Sequence, residues 1–450
     1  MAAQQTLPGI NMKTLATALL LILTSCTALR ADEAQILQIV GPTMGTKYTV
    51  KVFRPEAMAV EPKDLQIQID GLLRRINDQM STYLDHSEIS RFNQSSSLDW
   101  VEVSADFATV VQFALKVAEQ SDGALDVTVG PLVNAWNFGP EPRDTEPPSE
   151  SVLAELSEYV GFEKLSVRMD PPALKKSHPN VRVDLSSIAK GFAVDKVVAL
   201  LDEQGAKNVF VEIGGEVRTA GSKDGQWWKV GIQLPDAASD VVMIAHSLNT
   251  GSDGDQAMAT SGDYRNYFES DGVRYSHTID PATSRPITHS LASVSVVADS
   301  CMAADAWATA LNVLGADRAD ALAKREGLSV LLINRSDDGF EIRGTGTLAQ
   351  YSSDSNRNQA AGAAVEQGDA NADGNSLLVV LAITFVAFTV VLFGMAIGVI
   401  FGRRSISGSC GGLANTKSDD GSVSCALCSN PDNACKELRE RMESTPQKVM

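Results

Sequence analysis

The sequence predicts an α+β domain outside a membrane, followed by one transmembrane helix and a short cysteine-rich tail inside it. Helical and strand periodicities are mixed through the first 350 or so residues, without the regular βα repeat of a parallel sheet. Leu377 to Phe401, LLVVLAITFVAFTVVLFGMAIGVIF, carries no charge. At about 1.5 Å per residue it makes a helix of roughly 37 Å, enough to cross a hydrocarbon core of roughly 30 Å with some tilt. Arg403 and Arg404 follow at once, and clustered positive charge marks the cytoplasmic end of a span.

In chain order, residues 12–26, MKTLATALLLILTSC, combine a lysine, a short apolar run and small residues before a cysteine, the pattern of an export signal. Leu23-Thr24-Ser25-Cys26 resembles a bacterial lipobox, so residues 1–25 are expected to be removed and Cys26 lipidated. Met12 places the lysine nearer the start than Met1 does. Thr46 to Phe53 alternates Tyr48, Val50 and Val52 with polar neighbours, a half-buried strand. Pro62 opens a helix with Leu65, Ile69, Leu72, Leu73, Ile76 and Met80 on one stripe. Ser104 caps a second helix through about Gln120, buried through Phe107, Val110, Val111, Ala114 and Leu115.

Gly139 to Glu150 is a proline-rich surface loop. Val181 to Asp184 reads as a short strand feeding a turn, then a helix buried through Ala193, Val194, Val197, Val198 and Leu201. Strands are expected at Asn208 to Ile213, Trp227 to Leu234 and Leu328 to Ile333, and a helix near Ala303 to Leu314. Gly344 to Asn375 is poor in large apolar residues and reads as a flexible tether. Domain limits follow at 35–350, with a linker at 351–375.

The formal charge of −18 argues against a nucleic-acid surface, which needs clustered Lys and Arg. An anionic ligand then requires a metal or backbone amides. Cys26 and Cys301 precede the span, while Cys410, Cys425, Cys428 and Cys435 follow it, in a reducing compartment where thiols bind metal more often than they pair. Cys301 reads as a buried core thiol.

Three segments carry possible chemistry. Asp184 to Gly191, DLSSIAKG, lies at a helix start, where free N–H groups can hold phosphate; Asp184 and Ser187 serve equally well as helix caps. Asp305 and Thr309 stand four apart on one helical face, hard oxygen donors suited to Mg²⁺, although such a pair is commonly just a solvated face. His277 precedes the Asp280-Pro281 turn, where a loop can present it as a general base; a hydrogen-bonded structural histidine is the other reading.

Together these segments resemble the FAD:protein FMN transferases of the ApbE family. The resemblance is carried by Thr43-Met44-Gly45-Thr46, Met80-Ser81-Thr82-Tyr83 with SEISRFN, DGALDVTVGPLVNAWNFGP from Asp122 and DLSSIAKGFAVD. It continues through Val211 to Glu216, ATSGDY from Ala259, SHTIDP and ADAWATAL from Ala304, so the motifs span about Ile39 to Leu348. It implies a T-fold-like α+β domain that moves FMN from FAD to a protein threonine, with Mg²⁺ and release of AMP. By motif position Met44, Tyr83, Ala124, Leu125, Asp126, Asp184, Lys190 and Ile279 would contact FAD. Ser187, through its carbonyl, with Asp305 and Thr309 would hold Mg²⁺, and His277 would be the base. FAD hydrolysis to FMN and AMP, and a tethered flavin-binding electron carrier, are the competing readings.

Residues 376–441 resemble the NqrM maturation factor of the Na⁺-translocating NADH:quinone reductase, through the span, Gly408-Ser409-Cys410-Gly411-Gly412 and the CxxC of Cys425 and Cys428. The resemblance implies iron handling at Cys410, Cys425, Cys428 and Cys435; the residues alone also suit zinc. Gly394, Gly398 and Gly402 share a face on which another helix could pack closely, although glycine is also simply common in spans. The implied setting is the bacterial inner membrane, with a periplasmic catalytic domain, a cytoplasmic tail and flavin-accepting subunits of that reductase as partners.

Overall fold

The chain divides into two units, Met1–Ala363 and Ala364–Met450. A computed structural model describes residues 36–352, apart from 55–57, 59, 141–145, 234, 236–241, 249–255, 264–266, 271–272 and 338. The export signal, Cys26, most of the linker, the predicted span and the four tail cysteines lie outside the described residues. Among the described residues no helix is long and apolar enough to cross a membrane.

An eight-stranded sheet organises the first unit: β1 (Ile36–Thr43), β2 (Thr46–Phe53), β3 (Val209–Ile213), β4 (Glu216–Ala220), β5 (Gln256–Gly262), β6 (Leu291–Ala298), β7 (Ser329–Ser336) and β8 (Gly339–Gly344). These strands lie side by side in chain order and every neighbouring pair is antiparallel. The α-helices and the smaller sheets are inserted between successive strands. Helices α1 (Pro62–Met80), α2 (Ala105–Gln120) and α3 (Ala189–Glu203) fall between β2 and β3, while α4 (Cys301–Leu314) and α5 (Ala316–Arg325) fall between β6 and β7.

The helices cover one sheet face because their stripes match it. On α1, Leu65, Ile69, Leu72, Leu73, Ile76 and Met80 are the buried residues, and they join Tyr48, Val50, Val52, Val209 and Val211 in one core. Tyr48 keeps its hydroxyl satisfied by donating to Asp70 at 2.7 Å. The opposite face carries a second, smaller core closed by the hairpin Trp228–Gln233/Val242–Leu248. Strand β7 serves both, with Val330 and Leu332 on the helical side and Leu331 and Ile333 on the other. A continuous apolar run is what a strand covered on both faces requires.

The expected helices and the strands near 46–53, 208–213, 227–234 and 328–333 are present. Ser104 caps α2 by accepting from the Phe107 amide at 3.3 Å. Two expectations are corrected. Val181 to Asp184 forms no strand; Asn93 takes a strand partner's place, its Oδ1 accepting from the Val183 amide at 2.7 Å and its Nδ2 donating to the Val183 carbonyl at 2.8 Å. The tether begins later than Gly344, because Gly346–Tyr351 forms a 3-10 turn that buries Leu348 in the second core.

Candidate active site

A cavity of about 1000 Å³ opens where the inserted segments converge over the sheet. Its lining includes Ala124, Leu125 and Asp126 from the loop after α2, and Asp184, Ser187 and Lys190 from the entrance to α3. Glu216 of β4, Ser261 of β5, His277 and Ile279 from the segment before β6, and Asp305 and Thr309 of α4 complete it. The structure thus brings together ten of the residues singled out from the sequence, counting Ala124, Leu125, Asp126, Asp184, Ser187, Lys190, His277, Ile279, Asp305 and Thr309. It does not bring Met44 or Tyr83 into the lining: Met44 packs against the main core at a positive φ of 47°, and Tyr83 is 70 % exposed.

The entrance to α3 is built on one close contact. A Cβ on Gly191 would stand 2.3 Å from the Cys301 carbonyl oxygen and 2.8 Å from Asp305 Cβ, so only glycine lets α3 lie against the start of α4. The Gly191 amide donates to Asp305 Oδ2 at 2.9 Å. One of the free amides expected for phosphate is therefore committed to a carboxylate. Neither Asp184 nor Ser187 caps the helix: Ile188 is the capping position, without a side-chain bond, and Asp184 instead accepts from the Ser186 amide at 2.8 Å.

Asp305 is 3 % exposed, which removes the solvated-face reading of the Asp305–Thr309 pair. Burial pushes its carboxyl up to about 7, an effect that Lys190 opposes and Glu216 reinforces. Lys190 Nζ lies 3.0 Å from Glu216 Oε1 and 4.0 Å from Asp305 Oδ1. Burial alone lowers the ammonium's pKa, but the two carboxylates outweigh it and hold Lys190 charged. The second Glu216 oxygen, Oε2, is buried without a hydrogen-bond partner.

Thr309 Oγ1 sits 3.2 Å from Ser261 Oγ. His277 meets the Phe138 ring edge-on, with centroids 6.3 Å apart. Asp126, 6 % exposed, accepts from the Thr128 amide at 2.7 Å and the Thr128 hydroxyl at 2.6 Å; burial nevertheless pushes its carboxyl up to about 6. Cys301 is fully buried, and burial raises its thiol far above the usual range, as suits a core residue rather than a nucleophile.

The donor set fits a hard divalent cation. No group of three or more His, Cys, Asp or Glu gathers among the described residues, and the oxygen donors of the lining residues include a carboxylate, a hydroxyl and backbone carbonyls, the hard-oxygen chemistry a divalent cation takes. Thr309 and Ser187, lining the same cavity, supply such oxygens.

Residues 44–332 match the family model described as ApbE. A FAD:protein FMN transferase of Vibrio cholerae is 46% identical over 327 residues, covering 72% of this chain and 94% of the relative. The chain belongs to the ApbE family. Another FAD:protein FMN transferase similar to this ApbE chain, from Haemophilus influenzae, is 42% identical over 331 residues, 72% of this chain and 93% of the relative. The fold is that of the solved flavin transferase ApbE from Vibrio cholerae, at a TM-score of 0.63 and 44% identity over 69% of this chain and 97% of that one. The apo flavinyl transferase ApbE of Pseudomonas stutzeri gives 0.63 at 36% identity, over 69% of this chain and 94% of that one. Residues 399–448 match the family model described as (Na+)-NQR maturation NqrM, so ApbE and NqrM segments are fused in one chain.

Sequence reasoning quoted Glu216 within a motif but assigned it nothing. It also missed Asp195, which accepts from the Cys301 and Met302 amides, both at 2.9 Å, and pairs with Arg218 at 2.6 Å, anchoring the start of the helix that carries Asp305. No local spacing signals a cap supplied from more than 100 residues away.

Proposed function

We infer that the chain transfers the FMN moiety of FAD to a threonine hydroxyl of a target protein and releases AMP. One observation carries the reading: a base candidate, a lysine and buried hard-oxygen donors line the same cavity, in a chain whose curated relatives are FAD:protein FMN transferases. Ala124, Leu125, Asp126 and Ile279 form the wall for the flavin nucleotide, and Lys190 places a fixed positive charge beside its phosphates. Met44 and Tyr83 reach FAD only if it extends beyond the lining.

Asp305, Thr309 and the Ser187 carbonyl would hold Mg²⁺, which when bound supplies positive charge against the pyrophosphate and its departing half. His277 takes the proton from the incoming threonine hydroxyl, a poor nucleophile until that proton is removed. The threonine oxygen then bonds to the FMN phosphorus. The P–O bond to AMP breaks, its electron pair leaves on the AMP phosphate, and the proton remains on His277.

The test incubates the full chain with FAD, Mg²⁺ and a flavin-accepting subunit, then reads covalent flavin fluorescence on the acceptor. His277→Ala should lower labelling by roughly 10²- to 10⁴-fold; unchanged labelling would remove His277 from the role of base. FMN and AMP accumulating without acceptor at the same rate would favour hydrolysis, and flavin retained intact would favour a carrier.

The setting is part of the same proposal. Residues 1–25 act as a lipoprotein signal ending at Cys26, 35–350 form the transferase, 351–375 a linker, and 377–401 span the bacterial inner membrane. The transferase then faces the periplasm, and Cys410, Cys425, Cys428 and Cys435 bind iron in the cytoplasm. The match to the NqrM family supports the Na⁺-translocating NADH:quinone reductase as both the flavin acceptor and the recipient of that iron. Metal analysis of the full chain purified without oxygen tests the tail; neither iron nor zinc at the cysteines would refute it.

A further inference from the structure

Glu216 has a buried carboxylate that neither the proposed base nor the proposed cation ligands use. It is 5 % exposed, opens the strand β4 and lines the cavity. One oxygen accepts from Lys190 and the other has no hydrogen-bond partner. A Cβ on Gly214 would come 3.5 Å from that second oxygen and 3.6 Å from Lys190 Cδ, so the glycine turn between β3 and β4 lies alongside both side chains.

Three formal charges are thereby locked together: the Lys190 ammonium, the Glu216 carboxylate 3.0 Å away and the Asp305 carboxylate 4.0 Å away. The shorter contact wins the ammonium. Asp305 is left with Oδ2 bound to the Gly191 amide and Oδ1 at a distance too long for a hydrogen bond from the lysine. Without Glu216, Asp305 is the remaining carboxylate within ion-pair reach of the part-buried Lys190 ammonium. Lys190 then needs to move only about 1 Å to form a full ion pair with it.

We propose that Glu216 is a positioning residue for the cation: by holding Lys190, it keeps the Asp305 carboxylate open to a divalent metal. This rests on the reading of Asp305 as the cation's carboxylate. A lysine so close to a metal ligand competes with the metal for the same oxygen, and a carboxylate that captures the lysine removes the competition. With Asp305 ionised, as a bound cation requires, the Lys190, Glu216 and Asp305 side chains carry one positive and two negative formal charges, a balance that favours a dication.

Mn²⁺ binding to the full chain, followed by electron paramagnetic resonance without FAD, tests this directly. The wild type should bind Mn²⁺ and release it to excess Mg²⁺. Glu216→Ala should weaken binding by roughly 10- to 100-fold, the range for residues that orient a metal ligand. Glu216→Gln, which keeps the shape and an acceptor, should weaken it less. In a Lys190→Met background, Glu216→Ala should cost markedly less than in the wild type, because no ammonium remains to be restrained.

Equal Mn²⁺ affinity of the wild type and both Glu216 variants would overturn the proposal. So would an undiminished Glu216→Ala cost in the Lys190→Met background, which would make Glu216 a direct ligand. If the wild type bound no Mn²⁺ while Asp305→Asn left flavin transfer intact, the metal centre itself would be misplaced, a different failure from the other two.

Discussion

Asp126 is a carboxylate held in a place that suits its neutral form. Its oxygen accepts from the amide and hydroxyl of Thr128, whose hydroxyl in turn accepts from the Gly161 amide at 2.7 Å. Those bonds favour the anion, but burial outweighs them and the carboxyl is pushed up to about 6. The sign follows: with a folded value above the unfolded value of about 3.9, the folded state binds more protons, so stability falls as pH rises from about 4 to about 6. Asp126→Asn removes the titration. Its stability relative to the wild type should be greater at pH 7 than at pH 4, by up to about 3 kcal/mol in urea unfolding. A difference independent of pH would contradict the burial account. At this scale the sequence singles out His277, Asp305 and Thr309 where chemistry and motif coincide, and folding brings the three into one cavity. It was silent on Glu216 and Asp195, whose partners become neighbours only through folding.

The contact between α3 and α4 fixes the site as elements rather than as single residues. Gly191 sets their separation and Asp195 ties the start of α4 to α3. Gly191→Ala must push the two helices apart. Overpacking of this kind costs about 1–3 kcal/mol and should lower Tm by roughly 1.5–4.5 °C in a domain of this size. Flavin transfer should fall by more than the loss of folded protein explains, since Asp305 rides on the displaced helix; calorimetry beside the transfer assay separates the two effects. Helices were the most legible elements, because six buried positions on α1 repeat with the helical period. Val181 to Asp184 reads as a strand because its alternation is real. Its partners include the Asn93 side chain and, for the Asp184 amide, the Val127 carbonyl, and periodicity carries no record of either.

On the scale of the whole chain, two segments of different chemistry are joined, one matched over 44–332 and the other over 399–448. If each works by itself, a chain with Cys425 and Cys428 both changed to Ser should keep full flavin transfer while losing bound metal. On the proposed topology, replacing 377–401 with polyleucine should likewise preserve anchoring and transfer but impair the tail's proposed iron handling. Loss of flavin transfer in either case would reveal a dependence between the segments. The sequence separated these segments readily because composition shifts sharply at the apolar run. It could not show that β1 to β8 would lie in chain order, since strand order depends on which faces the inserted helices cover.

That order has a consequence for how the molecule is made. Pairing β2 with β3 joins Val50 to Val211, and the cavity draws on residues from Gln38 to Val313. Ring closure over so long a stretch is slow, and its entropic cost comes before any contact rewards it. A chain emerging from its N-terminus can form α1 and α2 early, yet until α4 appears it has nothing to set against Gly191 and no Asp305 to hold. The last-made quarter of the domain completes the site, so a nascent fragment ending before Cys301 should gain helix and collapse while having no competence to react.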